Sequence, residues 1–281
     1  MRVLITGARG QLGRDVLAEA GARGWHATGM DIADFDLTDR AATLAALRAS
    51  EPEVVIHCAA YTAVDRAESE PELAFAVNET GTRHVAEYCA AAGAWLVLVS
   101  TDYVFDGSGD APWEVDDPPA PVNVYGRSKL AGEMVTRDLC ERHMIVRTSW
   151  VFGRHGANFV HTMLRLGGER ASINVVDDQV GAPTYTADLA RLLCDMAARP
   201  VAGTYHASNA GECSWAAFAR EIFCCAGVSC VVNPIATSEY STAAARPSNS
   251  RLSPKALLDV GYDTLPSWED ALKRMLGGWR C

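Results

Sequence analysis

Lysine is nearly absent from this chain. Of 25 basic residues among 281, only Lys129, Lys255 and Lys273 are lysine, and the rest are arginine. A lysine kept against that bias marks a position where a compact ammonium serves and a planar guanidinium does not. An excess of positive charge is also lacking. The 35 acidic residues give a formal charge of −10, which argues against nucleic acid or an anionic membrane surface as the main partner. No apolar run approaches the roughly 20 residues of a membrane span. Arg2-Val-Leu-Ile-Thr6 runs straight into a Gly-rich turn and reads as a strand, not a signal peptide. The nine cysteines include no C-x-x-C spacing. Cys58 falls in an apolar strand, Cys224-Cys225 in a helical pattern, and Cys281 at the last position. They read as reduced cytosolic thiols used as small apolar residues, not as a zinc site or disulfide framework. The expectation is a cytoplasmic protein, long enough for one large or two modest domains.

What is present centres on Tyr125-Gly-Arg-Ser-Lys129. Good helix formers with apolar residues at helical spacing follow it to about residue 139. Residues four apart share a helix face, so Tyr125 and Lys129 point the same way. A free phenol has a pKa of about 10, and a neighbouring cation favours phenolate. That would bring a proton donor towards the range where general acid catalysis works. The competing reading is an accidental pair on a solvated helix. Composition alone gives roughly 0.09 Tyr/Lys pairs at this spacing, so the functional reading is preferred.

Taken in order, the chain opens with strand 2–6 and then Gly7-Ala-Arg-Gly10-Gln11-Leu12-Gly13, leading into a helix through Val16, Leu17 and Ala20. Such a strand–turn–helix lets backbone approach a pyrophosphate, with free N–H groups at the helix start as donors. A second strand ends at Asp31, placed to accept from an adenosine ribose hydroxyl and to repel a 2′-phosphate. That leans towards NADH, with Arg9 offsetting the lean. Asp36 and Leu37 follow on a short loop near the adenine; Asp36 reads equally as a turn residue. Strand 54–58 opens to Ala59, Ala60, Tyr61 and Thr62, small or flat enough for a ligand to lie on the backbone. His57, inside that strand, reads as a core histidine. A single helix is expected over 70–92, stopped by Gly93. Strand 95–100 delivers Thr101 and Asp102 to the same edge, and 110–122 is a Pro/Asp-rich surface loop. The Tyr125/Lys129 helix and strand 144–148 complete the repeat.

This β-α-β-α alternation predicts an α/β fold: a doubly wound, Rossmann-type parallel sheet covered on both faces. Residues 1–148 form the dinucleotide-binding domain. Residues 149–281 form mainly a smaller α/β substrate-binding domain, interleaved with the last sheet elements over about 177–203. A turn-rich loop is expected at 177–184 and a polar loop at 245–252.

A phosphate-binding turn, a Thr after the fourth strand and a Tyr/Lys pair on the next helix resemble the extended short-chain dehydrogenase/reductases of sugar nucleotides. Thr62-Ala-Val-Asp-Arg-Ala-Glu, Ser100-Thr-Asp-Tyr-Val-Phe105, Arg147-Thr-Ser-Trp150, Gly181-Ala-Pro-Thr184 and Asn249-Ser-Arg-Leu252 narrow this to the dTDP-4-dehydrorhamnose reductases. The resemblance spans nearly the whole chain. It implies hydride transfer from NADPH or NADH to C4 of dTDP-4-dehydro-L-rhamnose, for a cell-surface sugar donor. Thr101, Tyr125 and Lys129 would be catalytic: Tyr125 gives the proton, Thr101 bonds the carbonyl, and Lys129 depresses the Tyr125 pKa and holds the nicotinamide ribose. Asp102 and Trp150 would line the sugar-nucleotide site, and Arg246 and Arg251 are candidate diphosphate ligands. Some members bind magnesium at a dimer contact. The aligned positions here are Asp15 and Ala187, and Ala187 cannot ligate, so no metal is expected and the chain should be a monomer or weak homodimer. Two rivals stay open at this point. One is another nucleotide-sugar 4-ketoreductase or epimerase of the fold. The other is a non-catalytic relative such as a methionine adenosyltransferase regulatory subunit.

Overall fold

Val3-Leu-Ile5, Val54-Val-Ile56 and Leu96-Val-Leu98 are apolar at every residue, the pattern of strands buried on both faces. A computed structural model describes residues 1–277 and shows that sheet; Cys281 lies outside the described residues. The strands are β1 (Arg2–Thr6), β2 (His26–Met30), β3 (Val54–His57), β4 (Trp95–Thr101), β5 (His143–Thr148) and β6 (Gly203–His206). They lie in the order β6-β5-β4-β3-β1-β2 and are parallel throughout. The doubly wound α/β class expected from the sequence is the one observed.

The longer helices are α1 (Gln11–Ala22), α2 (Arg40–Ser50), α3 (Thr82–Ala92), α4 (Val124–Leu139), α5 (Phe159–Glu169), α6 (Thr186–Ala198), α7 (Trp215–Ala226) and α8 (Trp268–Leu276). Successive strand residues point to opposite faces. Val3 and Ile5 therefore meet Val16 of α1 and Leu189 and Leu193 of α6, while Leu4 meets Leu47 of α2 and Val85 of α3. Burying each such side chain contributes roughly 1.5–3 kcal/mol. Beside the sheet, Phe152 and Tyr185 join Val160 of α5, Phe218 and Ile222 of α7, and Trp268 and Met275 of α8 in a second core.

The direction of strand succession reverses between β1 and β3, and open α/β sheets bind ligands in the crevice at that point. The two loops there press together. A Cβ at Gly7, whose φ is +65°, would lie 2.7 Å from the Ala59 nitrogen, so only glycine fits.

Two expectations are corrected. The helix over 70–92 is interrupted: Pro71–Phe75 is α-helical, Ala76–Gly81 is a π-helical turn, and α3 follows. The wider turn carries Asn78 inward, where its side chain bonds Tyr61 and Ser128, as insertions of this kind often do at functional sites. The chain returns to the sheet through α6 and β6. Within 177–184, Val180–Gly181 instead pairs with Cys213–Ser214 and Asn249–Ser250, so both loops expected at 177–184 and 245–252 contain a short strand. Two-residue strands carry too little alternation to be read from sequence. All eight described cysteines are unpaired.

Candidate active site

Gly10 is the N-cap of α1 and offers no side-chain cap. The first N–H groups of the helix are therefore left for an anion. A Cβ at Gly13 would sit 2.1 Å from the Gly7 oxygen, so the third glycine is what lets α1 close onto the turn. These residues form one wall of a cleft of about 1020 Å³ along the carboxyl edge of the sheet. Gly7, Gly10, Gln11, Leu12 and Gly13 line it with Asp31, Asp36 and Leu37. Ala59, Ala60, Tyr61 and Thr62 form its floor, and Thr101, Asp102, Tyr125, Lys129 and Trp150 complete it.

Asp31 is fixed by backbone. Its carboxylate accepts from the Arg9 and Ile32 N–H groups, both at 2.9 Å. The Arg9 guanidinium is 62% exposed and 3.8 Å from Asp34, a loose surface pair free to swing. Asp36 accepts from both the N–H and the hydroxyl of Thr38 at 2.8 Å, which is the turn role noted for it.

Thr101 ends β4 and caps a short 3₁₀ turn, Asp102–Val104; its oxygen accepts from the Tyr103 N–H at 3.2 Å. Its hydroxyl donates to Asp102 Oδ1 at 3.0 Å. Asn123 caps α4, accepting from the Gly126 N–H at 2.8 Å. A Cβ at Gly126 would be 2.1 Å from the Tyr103 oxygen, so this glycine lets the start of α4 pack on the 3₁₀ turn. That contact sets Tyr125 against Thr101. Asn78 is a clamp that the sequence did not mark. It accepts from the Tyr61 N–H at 2.8 Å and donates to Ser128 at 2.9 Å, tying the loop after β3 to α4.

Lys129 is almost fully buried, and its Nζ donates to the Val99 carbonyl at 2.8 Å. Burial lowers its pKa to about 8, with Glu133 and Cys58 pushing it back up. Burial raises the Tyr125 phenol, the Thr101 hydrogen bond lowers it, and Asp102 and Tyr103 raise it further. The expected downward pull of Lys129 on the Tyr125 phenol is not seen: desolvation dominates, and Lys129 is not among the groups that shift it. One helical turn places the two on the same side, yet the ammonium is tied to β4. Next along α4, Glu133 is fully buried and bonded to Arg147 (2.8 and 2.9 Å), Arg137 (2.8 Å) and Ser100 (2.6 Å). His57 lies in the core between Thr6 and Thr82, with its pKa driven to about 3 by burial.

Arg246 and Arg251 do not join the cleft lining. Arg246 pairs with Asp65 at 2.7 Å and Arg251 with Glu212 at 2.6 Å. Arg246 Nη1 is buried and makes no hydrogen bond of ordinary geometry, lying beside Tyr103. Asp15 faces His155 at 3.9 Å, and Ala187 packs on the second core.

Trp150 has φ +49°, strained for a side chain of that size. Its indole stacks on Trp215 with ring centroids 3.6 Å apart, and a Cβ at Gly181 would come within 2.9 Å of it. Trp215 and Phe159 also line the cleft. Neither belongs to a motif, and only the packing of the second core on the sheet reveals them. Trp150→Ala is expected to raise KM about 10–100-fold, the worth of one buried aromatic contact, with a smaller loss in kcat. Steady-state kinetics check this; a thousandfold fall in kcat at constant KM would refute it.

Sheet, Gly-rich turn and a Thr/Tyr/Lys set at one edge define a Rossmann-type oxidoreductase of the short-chain dehydrogenase/reductase kind. The family model described as RmlD substrate binding domain matches residues 1–280. The chain is 44% identical over 278 residues to the dTDP-4-dehydrorhamnose reductase of Streptomyces griseus, covering 96% of this chain and 91% of that one. It is 43% identical over 282 residues to that of Mycobacterium tuberculosis, covering 98% and 92%. Among solved structures, the Bacillus anthracis dTDP-4-dehydrorhamnose reductase in complex with NADP matches with a TM-score of 0.96 at 43% identity, over 99% of both chains. The Thermus thermophilus UDP-glucose 4-epimerase complex with NAD, at 21% identity and TM-score 0.80 over 99% of this chain and 98% of that one, shares the fold. This chain belongs to the dTDP-4-dehydrorhamnose reductase family.

Proposed function

We propose that the chain reduces the C4 ketone of dTDP-4-dehydro-L-rhamnose to dTDP-L-rhamnose with NADPH or NADH. The observation that carries this is the convergence of Thr101, Tyr125 and Lys129 on the cleft that the Gly7–Gly10–Gly13 turn opens. The cleft fits a dinucleotide. The uncapped N–H groups of α1 suit a pyrophosphate, the backbone around Gly7 and Gly13 leaves no room for Cβ atoms, and Asp31 is held ready for a ribose hydroxyl. Bound there, a reduced nicotinamide supplies the hydride.

Everything else falls to the chain's own side chains. As hydride reaches C4, negative charge gathers on the ketone oxygen, and donors aimed at that oxygen lower the barrier. Tyr125 rests protonated because burial holds its pKa high, so it is loaded with the proton that the developing alkoxide, a stronger base than phenolate, takes. Lys129 then stands one helical turn from the phenolate and stabilises it. Thr101 donates to the carbonyl oxygen. Trp150 and Asp102 orient the sugar, and Arg246 and Arg251, at the loop beside the cleft, are the candidates for the diphosphate. Among the described residues no helix is long and apolar enough to cross a membrane. The enzyme is taken to work in the cytoplasm, as a monomer or weak homodimer.

The test is NADPH oxidation with the 4-keto sugar nucleotide, with the C4 configuration of the product read by NMR. The expected result is dTDP-L-rhamnose, with kcat/KM for NADH and NADPH within about tenfold, 1.4 kcal/mol, because Asp31 and the exposed Arg9 oppose one another. Formation of the C4 epimer, or no oxidation at all, would overturn the assignment.

A further inference from the structure

The Thr101 hydroxyl has one proton and two lone pairs. One lone pair accepts from the Tyr103 N–H at 3.2 Å. The proton is directed to Asp102 Oδ1 at 3.0 Å. What remains for the cleft is a single lone pair, with the Tyr125 phenol within reach of the same oxygen. In this arrangement Thr101 can accept a hydrogen bond but cannot give one. A ketone undergoing reduction needs the opposite.

Asp102 decides between the two arrangements. It is only 2% exposed, and its Oδ2 is buried with no hydrogen-bond partner. An ionised carboxylate with one orphaned buried oxygen is costly. A proton on Oδ2 removes that cost and leaves Oδ1 an uncharged carbonyl oxygen. Hydrogen bonds to an ionised acceptor are about twice as strong as neutral ones, so protonation loosens the hold of Oδ1 on the Thr101 proton. The hydroxyl is then free to turn into the cleft.

We propose that Asp102 is a positioning residue that sets the direction of the Thr101 hydroxyl: turned away from the ketone when the carboxylate is charged, donating to it when the carboxyl is neutral. The proposal rests on the reductase reading and adds a role that a sugar contact alone would not have. The groups around Asp102 are few. Thr101 and Tyr103 flank it, Tyr125 faces it from α4 and Ser250 from the strand Asn249–Ser250. The Arg246–Asp65 pair lies behind Tyr103, and Lys129 lies one turn along α4 from Tyr125. Burial raises the Asp102 carboxyl to about 6, with Ser250, Thr101 and the N–H groups of Asp102 and Tyr103 pulling the other way.

The experiment is the pH profile of kcat/KM for sugar reduction by the full chain, which reports groups of the free enzyme. In the wild type, kcat/KM falls about tenfold between pH 5 and 7, as a single group with an apparent pKa near 6 loses its proton. Asp102→Asn is isosteric with the neutral acid, its amide nitrogen standing where the protonated oxygen would be. It is expected to abolish that fall. Thr101→Val, lower in activity at every pH, should also lose it, because the effect passes through the hydroxyl. Circular dichroism confirms that both variants are folded. If Asp102→Asn keeps the tenfold fall and only raises KM, Asp102 is a substrate contact and the proposal fails. A flat wild-type profile over this range also overturns it. Absence of any sugar reduction by the wild type would instead sink the reductase reading, so the two failures are distinguishable.

Discussion

Lys129→Arg lowers kcat/KM for sugar reduction by about 10²–10⁴-fold, the usual worth of general acid catalysis. The ammonium sits almost fully buried, with Nζ 2.8 Å from the Val99 carbonyl. A guanidinium is longer and planar, and needs a space that this wall of the cleft does not provide. It keeps the charge but moves it, and Coulomb energy varies inversely with distance, so even about 1–2 Å alters its hold on the Tyr125 phenolate. Tyr125→Phe is expected to lose at least as much. The double variant should lose little more, because groups acting as one unit are not additive. A pH profile separates charge from geometry. The Lys129 pKa is lowered by burial to about 8, so the wild type loses a needed cation as pH rises through 8. Lys129→Arg stays charged and should show no such step. Should Lys129→Arg retain more than half the wild-type kcat/KM, charge alone suffices and the geometric argument must be abandoned.

Glu133→Gln destabilises the fold by about 3–5 kcal/mol at pH 7. Glu133 and Arg147 are both essentially unexposed, and two hydrogen bonds of 2.8 and 2.9 Å join them. Removing the carboxylate leaves a guanidinium buried without its counter-charge, far worse than never having buried the pair. Glu133→Leu with Arg147→Met is therefore expected near neutral, or stabilising by about 1–4 kcal/mol. Burial acts to raise the Glu133 carboxyl, but Arg147, Ser100 and Arg137 outweigh it and the net shift is downward. A depressed carboxylate contributes stability above its unfolded pKa and loses it as pH falls through its folded one. The stability gap between wild type and Glu133→Gln should thus narrow in acid below the ordinary carboxylate range. Urea unfolding at pH 7 and in acid measures it. A single-variant loss under 1 kcal/mol would refute the argument that the Glu133 carboxylate neutralises the buried guanidinium. Glu133 also pushes the Lys129 pKa up from the next turn of α4, so the same substitution should move the upper step of the pH profile downward.

The sequence by itself determined the sheet, its parallel sense and the edge where ligands bind. Continuous apolar strands alternating with amphipathic helices leave one way to bury both faces. The G-x-x-G-x-x-G turn and the Tyr125/Lys129 spacing are local, so each could be read without knowing what packs on it. Tertiary structure decided the rest. Whether Lys129 tunes Tyr125 depends on how deeply each is desolvated, and burial is a property of the whole fold. Asn78 acquired its clamp from a π-helical turn, which no local propensity signals. Trp215 reached the cleft because the second core packs against the sheet, and Arg246 and Arg251 met Asp65 and Glu212 from distant parts of the chain. Asp102 was visible in a motif, but its orphaned oxygen was not, because an unmade hydrogen bond exists only where the surrounding chain has closed over it.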